Sequence, residues 1–179
     1  MTDLIASPDT ATLLGRRDRA ILVVLADTGV RARELCCLRI RDVSPTLAFI
    51  RNGKGGKQRF VPLSSRAVHA IKTYLDSHPA RPDLPLFRRL EGGALDRRLL
   101  HKIVSAYQRR LRLKTGVHLL RASCAKCLLN RGLNLQTVRA ILGHESIVTT
   151  GVYLGVATDQ LVREYRAAVD QTPMGGEAR

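Results

Sequence analysis

The alternation of apolar and polar positions breaks the chain into helical stretches around one extended pair. DRAILVVLADTG (18–29) is apolar nearly all round, which predicts a buried helix stopped by Gly29. RARELCCLRIRDV (31–43) follows at once, with Leu35, Leu38 and Ile40 as its inward side. TLAFIR (46–51) and QRFVPL (58–63) carry β-favouring residues on either side of NGKGGK (52–57), a glycine-rich and unusually basic turn, so a hairpin is expected there. SSRAVHAIKTYLDSH (64–78) returns to helical spacing, with Val68, Ile71 and Leu75 on one face and Ser64 or Ser65 as the cap. PDLPLFRRLEGG (82–93) reads as a connector. ALDRRLLHKIVSAYQRRLRLK (94–114) reads as a long amphipathic helix with Leu99, Ile103 and Tyr107 inside. Three short helices are expected over 118–132, 133–143 and 145–155, each closing on glycine. One more is expected over 158–170, ahead of a soft tail at 171–179. The fold class is therefore mixed α+β, mainly helical with one small antiparallel sheet. The βαβ alternation of a Rossmann or P-loop fold is missing, and GKGGK lacks the spacing and the Ser/Thr of a Walker A loop.

Composition adds one decisive number. With 179 residues, 45% of them apolar, the chain is long enough for one domain with a sizeable core. Lys and Arg number 30 against 15 Asp and Glu, a formal charge of +15, where a net magnitude of ~2–8 is usual for a small domain. Such an excess points to a polyanion, since phosphate neutralisation with counterion release supplies much of nucleic-acid affinity. Trp is absent and aromatics are 4%, so base-stacking platforms for single strands or RNA are poorly supported. No run approaches the ~20 apolar residues of a membrane span, and MTDLIASPDT does not resemble a signal peptide. Cys36, Cys37, Cys124 and Cys127 are expected as buried free thiols; a metal or redox site is the alternative. On the 94–114 helix or its end, Arg97, Arg98, Lys102, Arg109, Arg110, Arg112 and Lys114 are either a solvated face or backbone phosphate contacts.

Six residues sit where side chains can converge, after turns, at helix starts or at the hairpin tip: Arg31, Lys54, His118, Arg121, His144 and Tyr153. Singly each has an ordinary reading, as surface arginine, turn lysine, polar helix edge, cap or core tyrosine. Together they suit attack on a phosphodiester. Arginines hold its nonbridging oxygens bidentately, histidines add donors or manage protons, and a lysine can protonate the leaving oxygen. A tyrosine becomes a competent nucleophile only where cations favour its phenolate. Clustered carboxylates of the two-metal type are missing near these positions, so the chemistry on offer is metal-free, without cofactor, through a covalent phosphotyrosine.

Four ordered boxes give this set a likeness. TGVRARELCCLR (28–39), GKGGKQRFVPL (53–63), HLLRASCAKCLLNRG (118–132) and LGHESIVTTGVY (142–153) resemble the arginine, hairpin-lysine, H-x-x-R and closing histidine-to-tyrosine boxes of the tyrosine recombinase, or phage-type integrase, family. The resemblance covers roughly residues 13 to 156, and the nine-residue gap from His144 to Tyr153 is the family's usual one. It implies the catalytic-domain fold of DNA breaking-rejoining enzymes over 1–170. Arg31 and Arg121 would clamp the scissile phosphate, with Glu34 orienting the arginines. Lys54 would act as general acid, His118 would assist proton transfer, His144 would hydrogen-bond a nonbridging oxygen, and Tyr153 would attack. Lys57, Arg59, Arg97, Arg98 and Lys102 would contact DNA.

The implied partners are double-stranded DNA and a homotetramer organised by it from free monomers, in the bacterial cytoplasm at the nucleoid. The 158–170 helix would dock on a neighbouring protomer or on its own core. Two departures stand out: Ala122 where histidine often follows the box arginine, and Cys124 where an aromatic is common. Both are expected to tune packing. The first box begins only 27 residues in, without the N-terminal core-binding domain of most relatives. An excised fragment, a truncated product and a naturally short recombinase are the three expectations. A type IB topoisomerase or a silent DNA-binding regulator are the rival functions.

Overall fold

Residues 20–26 are all buried because α2 (Leu13–Thr28) runs through the middle of the molecule and meets neighbours on every side. The computed structural model describes residues 1–51, 53, 56–114, 116–143 and 156–170. The expected helix over 145–155 and the tail at 171–179 lie outside them. A short α1 (Thr2–Ala6) tucks Leu4 and Ile5 against α2. Thr12 caps α2 by accepting from the Gly15 N–H at 3.0 Å, and Gly29 closes it in the left-handed region.

The second predicted helix ends early. α3 (Ala32–Cys37) gives way to an extended Leu38 and a 3₁₀ turn, Ile40–Asp42. The buried Asp42 explains the break: it accepts from the Arg39 backbone N–H at 3.1 Å and from Arg51 Nε at 2.7 Å, partners that a continued helix would forfeit. Leu35 and Leu38 are buried as expected, and Ile40 is half-buried. The hairpin forms: β1 (Leu47–Ile50) pairs antiparallel with β2 (Arg59–Pro62) in the register Leu47–Pro62, Ala48–Val61, Phe49–Phe60, Ile50–Arg59.

α4 (Ser65–Ser77) is capped by Ser64, α5 (Arg97–Arg110) by Asp96 and α7 (Leu135–Leu142) by Asn134, with α6 (Val117–Asn130) between the last two. Both long amphipathic helices sit rotated from the predicted face. α4 buries Ala67, Ala70, Ile71 and Tyr74, leaving Val68 and Leu75 on its shoulders. α5 buries Leu100, Ile103, Val104 and Gln108, with Leu99 and Tyr107 half-buried. Polar anchors set the rotation: Gln108 accepts from the Gly116 N–H at 2.7 Å, and the Tyr107 hydroxyl donates to Asp18 at 3.1 Å. Of the cysteines, expected as buried thiols, only Cys124 is buried; Cys36 and Cys127 are half-buried and Cys37 is exposed. The short α3 has too little packed surface to cover both members of its pair.

α8 (Val156–Asp170) lies against β2 and α4 of its own chain. The buried Tyr165 donates to the Asp27 carbonyl at 3.0 Å, and Asp170 accepts from Ser65 Oγ at 2.7 Å. Arg166 reaches the carbonyls of Leu63 at 3.2 Å and Pro45 at 2.7 Å. Among the described residues no helix is long and apolar enough to cross a membrane.

Candidate active site

The end of α2 and the end of α7 meet across Gly29. With φ +59° it holds a conformation that L side chains rarely adopt, and an added Cβ would lie 2.5 Å from Leu142 Cδ2. The chain leaves Gly29 through Val30 to Arg31, which stands immediately before α3. Glu34, one turn later, accepts from the Arg31 backbone N–H at 2.8 Å and from Arg31 Nη1 at 2.9 Å. The helix cap and the ion pair are thus one carboxylate, 4% exposed.

A second arginine completes Glu34. Arg59 of β2 donates from Nη1 and Nη2 to the two carboxylate oxygens, both at 2.9 Å, in a bidentate fork. Burial pushes the Glu34 carboxyl up, but hydrogen bonds from Arg59 and from the Arg31 backbone outweigh it and hold the group below its ordinary value. Arg121, in the second turn of α6, approaches from the other side and donates to the Gly29 carbonyl.

The three arginines share one structural device. Arg59 Nε reaches the Ile141 carbonyl at 3.2 Å, Arg121 Nη2 the Leu142 carbonyl at 2.6 Å, and Arg31 Nη2 the Gly143 carbonyl at 3.0 Å. These are successive carbonyls where α7 ends, at the negative pole of its dipole, where cations are favoured. Gly143 permits the approach: at φ +68° it has no Cβ to meet the Arg59 guanidinium, which would lie 2.8 Å away. Arg31 and Arg59 bond a single carboxylate while Arg121 feels only its charge, an arrangement left positive and receptive to an anion. Burial and then the charge of Arg31 push Arg121 down to about 10, still cationic at neutral pH.

Arg31, Glu34 and Arg121 therefore converge, and Arg59, expected at the DNA, converges with them. His118 lies exposed on the first turn of α6, one turn before Arg121. Lys57 is exposed beside the hairpin tip; Arg97, Arg98 and Lys102 are exposed along α5. Lys54, His144 and Tyr153 lie outside the described residues. The place of Arg59 was legible in principle. Strand side chains alternate, so Arg59 shares a face with Val61, which is fully buried.

Comparison with known proteins bears on the same ground. The profile of the phage integrase family matches residues 1–160. The chain belongs to that family. Among curated members of the phage integrase family it is 39% identical over 171 residues to tyrosine recombinase XerC of Pelobacter propionicus, covering 93% of this chain and 57% of that protein. The crystal structure of XerA recombinase superposes with a TM-score of 0.70 at 31% identity, over 90% of this chain and 56% of that one. XerH site-specific recombinase, solved bound to its difH substrate in a pre-cleavage complex, gives 0.67 at 28%, over 80% and 44%. The chain thus spans rather more than half the length of the curated relative it matches. The mainly helical architecture with one small antiparallel sheet is the catalytic-domain fold of these integrases.

Proposed function

We propose that the chain, over residues 1–170, is the DNA-cleaving and rejoining domain of a site-specific recombinase working through a 3′-phosphotyrosine without metal. The observation that carries the reading is the convergence of Arg31, Arg59 and Arg121 on the carbonyls that end α7, with Arg31 and Arg59 also joined through Glu34. His144 follows that helix end directly, and Tyr153 comes nine residues later. In this reading Arg31 and Arg121 hold the nonbridging oxygens of the scissile phosphate, as arginine forks do, while His144 adds a donor. The Tyr153 oxygen forms a bond to phosphorus as the bond from phosphorus to the 5′-oxygen breaks. Lys54 gives that oxygen its proton, and His118 assists the proton leaving the tyrosine. Rejoining runs the same steps backwards with the 5′-hydroxyl of another strand.

The exposed cations of α5 and Lys57 support duplex binding through backbone phosphates, which position without selecting sequence. The XerH site-specific recombinase was solved bound to its difH substrate, which favours a recombination site as the partner here. We place the protein in the bacterial cytoplasm, monomeric when free and tetrameric on DNA, with α8 moving from its own core to a neighbour during assembly. The experiment is incubation with a suicide duplex carrying a native site, in excess EDTA, followed by a denaturing gel. A covalent protein–DNA band is expected, with a free 5′-hydroxyl on the released strand. No band at any site, or one appearing only with Mg²⁺, contradicts the reading.

A further inference from the structure

Arg59 has the profile of an internal part. Its side chain is 14% exposed, and all three guanidinium nitrogens have protein acceptors: Glu34 Oε1, Glu34 Oε2 and the Ile141 carbonyl. Planar bidentate geometry of this kind belongs to a fork that orients its partner. A phosphate of bound DNA would have to draw the fork away from a buried carboxylate, leaving that charge to Arg31 alone. Glu34 Oε1 is shared, since Arg31 Nη1 reaches the same oxygen at 2.9 Å. Fixing Glu34 therefore fixes the pose of Arg31. The Nε contact ties β2 to the last turn of α7, and Gly143 is bare against the guanidinium.

We infer that Arg59 is a positioning residue of the arginine clamp: it holds Glu34, and through it Arg31, and it locks the hairpin strand to the helix end that leads to His144. The inference rests on the reading of this site as one that cleaves a phosphodiester. It assigns Arg59 to the geometry of the reacting phosphate, in place of the duplex contact that its position in a basic hairpin suggests. A shift of the clamp by about 1 Å is enough to cost roughly 10²-fold in rate.

Two variants test it. Arg59→Lys keeps the charge but not the fork, so duplex affinity should stay within about threefold while adduct formation at saturating DNA falls roughly 10²-fold. Arg59→Met removes the donors, and the Glu34 carboxyl, followed by carbon NMR in the full chain without DNA, should titrate at a higher pH than in the parent. If melting shows either variant unfolded, Glu34→Asp replaces it. That change keeps the charge and withdraws the carboxylate from both arginines, and the same split between affinity and rate is expected. A lysine variant that cleaves at nearly the parent rate overturns the inference. So does a loss confined to duplex affinity with the saturated rate unchanged, as a phosphate contact would give. An unmoved Glu34 titration overturns it as well. If the parent forms no adduct at all, the recombinase reading fails, and the Glu34 titration still decides whether Arg59 holds that carboxylate.

Discussion

Replacing Glu34 with alanine should destabilise the fold more than any surface change. The carboxylate is 4% exposed and accepts four hydrogen bonds: one from the Arg31 backbone, one from its guanidinium and two from Arg59. Without it Arg31, Arg59 and Arg121 face each other around the end of α7, and Arg59 keeps only the Ile141 carbonyl. Removing one partner of a buried ion pair costs about 3–5 kcal/mol. For a domain of this size each kcal/mol lowers Tm by about 2–4 °C, so a fall of roughly 10 °C is expected. The pH dependence carries the sign. Because the folded-state carboxyl lies below its ordinary 4.5, its stabilisation is complete above that value and fades as pH falls through the folded-state value. The gap between parent and Glu34→Ala should therefore be widest at neutral pH and narrow in acid. Thermal melts of both proteins, from neutral pH into the acid range, make the measurement. A loss below about 1 kcal/mol at neutral pH, the value of an exposed pair, or a gap that does not narrow in acid, would refute the reasoning.

Gly29→Ala should cost about 1–2 kcal/mol from its left-handed φ, plus a shift of Leu142, and should slow adduct formation; equal melts and rates would contradict this. Tyr165→Phe deletes the hydroxyl held by the Asp27 carbonyl, and about 1–2 kcal/mol should be lost, with faster hydrogen exchange across α8. Lys102→Ala should weaken duplex binding without sequence preference and lower the salt slope by about 0.9 in a gel-shift series; an unchanged slope places α5 off the DNA. Light scattering of the free chain should give a monomer mass, and a stable tetramer without DNA would contradict assembly on the duplex.

Secondary structure was legible wherever a local signal set it. Gly29 and Gly143 stop helices through their left-handed backbone, Ser64 caps one through its hydroxyl, and the glycine-rich turn allowed a hairpin. Helix faces were less legible, because α4 and α5 are turned by Tyr74, Tyr107 and Gln108, whose hydrogen-bond partners lie outside their own helices. The break after Cys37 depended on Asp42 finding Arg51, also a tertiary event. In the site, Arg31, Glu34 and Arg121 were visible as residue types at fixed spacings. Their grip on three successive carbonyls was not, since nothing in a sequence of side chains reports where a helix end will dock. Arg59 shows the same limit. Charge and a basic hairpin suggest DNA, while the strand face it shares with the buried Val61 points it at the protein.

In the proposed reaction Tyr153 is the nucleophile. The most direct test traps the adduct on a suicide duplex in excess EDTA, digests the protein and identifies the modified peptide by mass spectrometry. A nucleotide is expected on Tyr153, and a Tyr153→Phe protein should bind the duplex as the parent does yet yield no adduct. An adduct on another residue, or one undiminished in Tyr153→Phe, would contradict it.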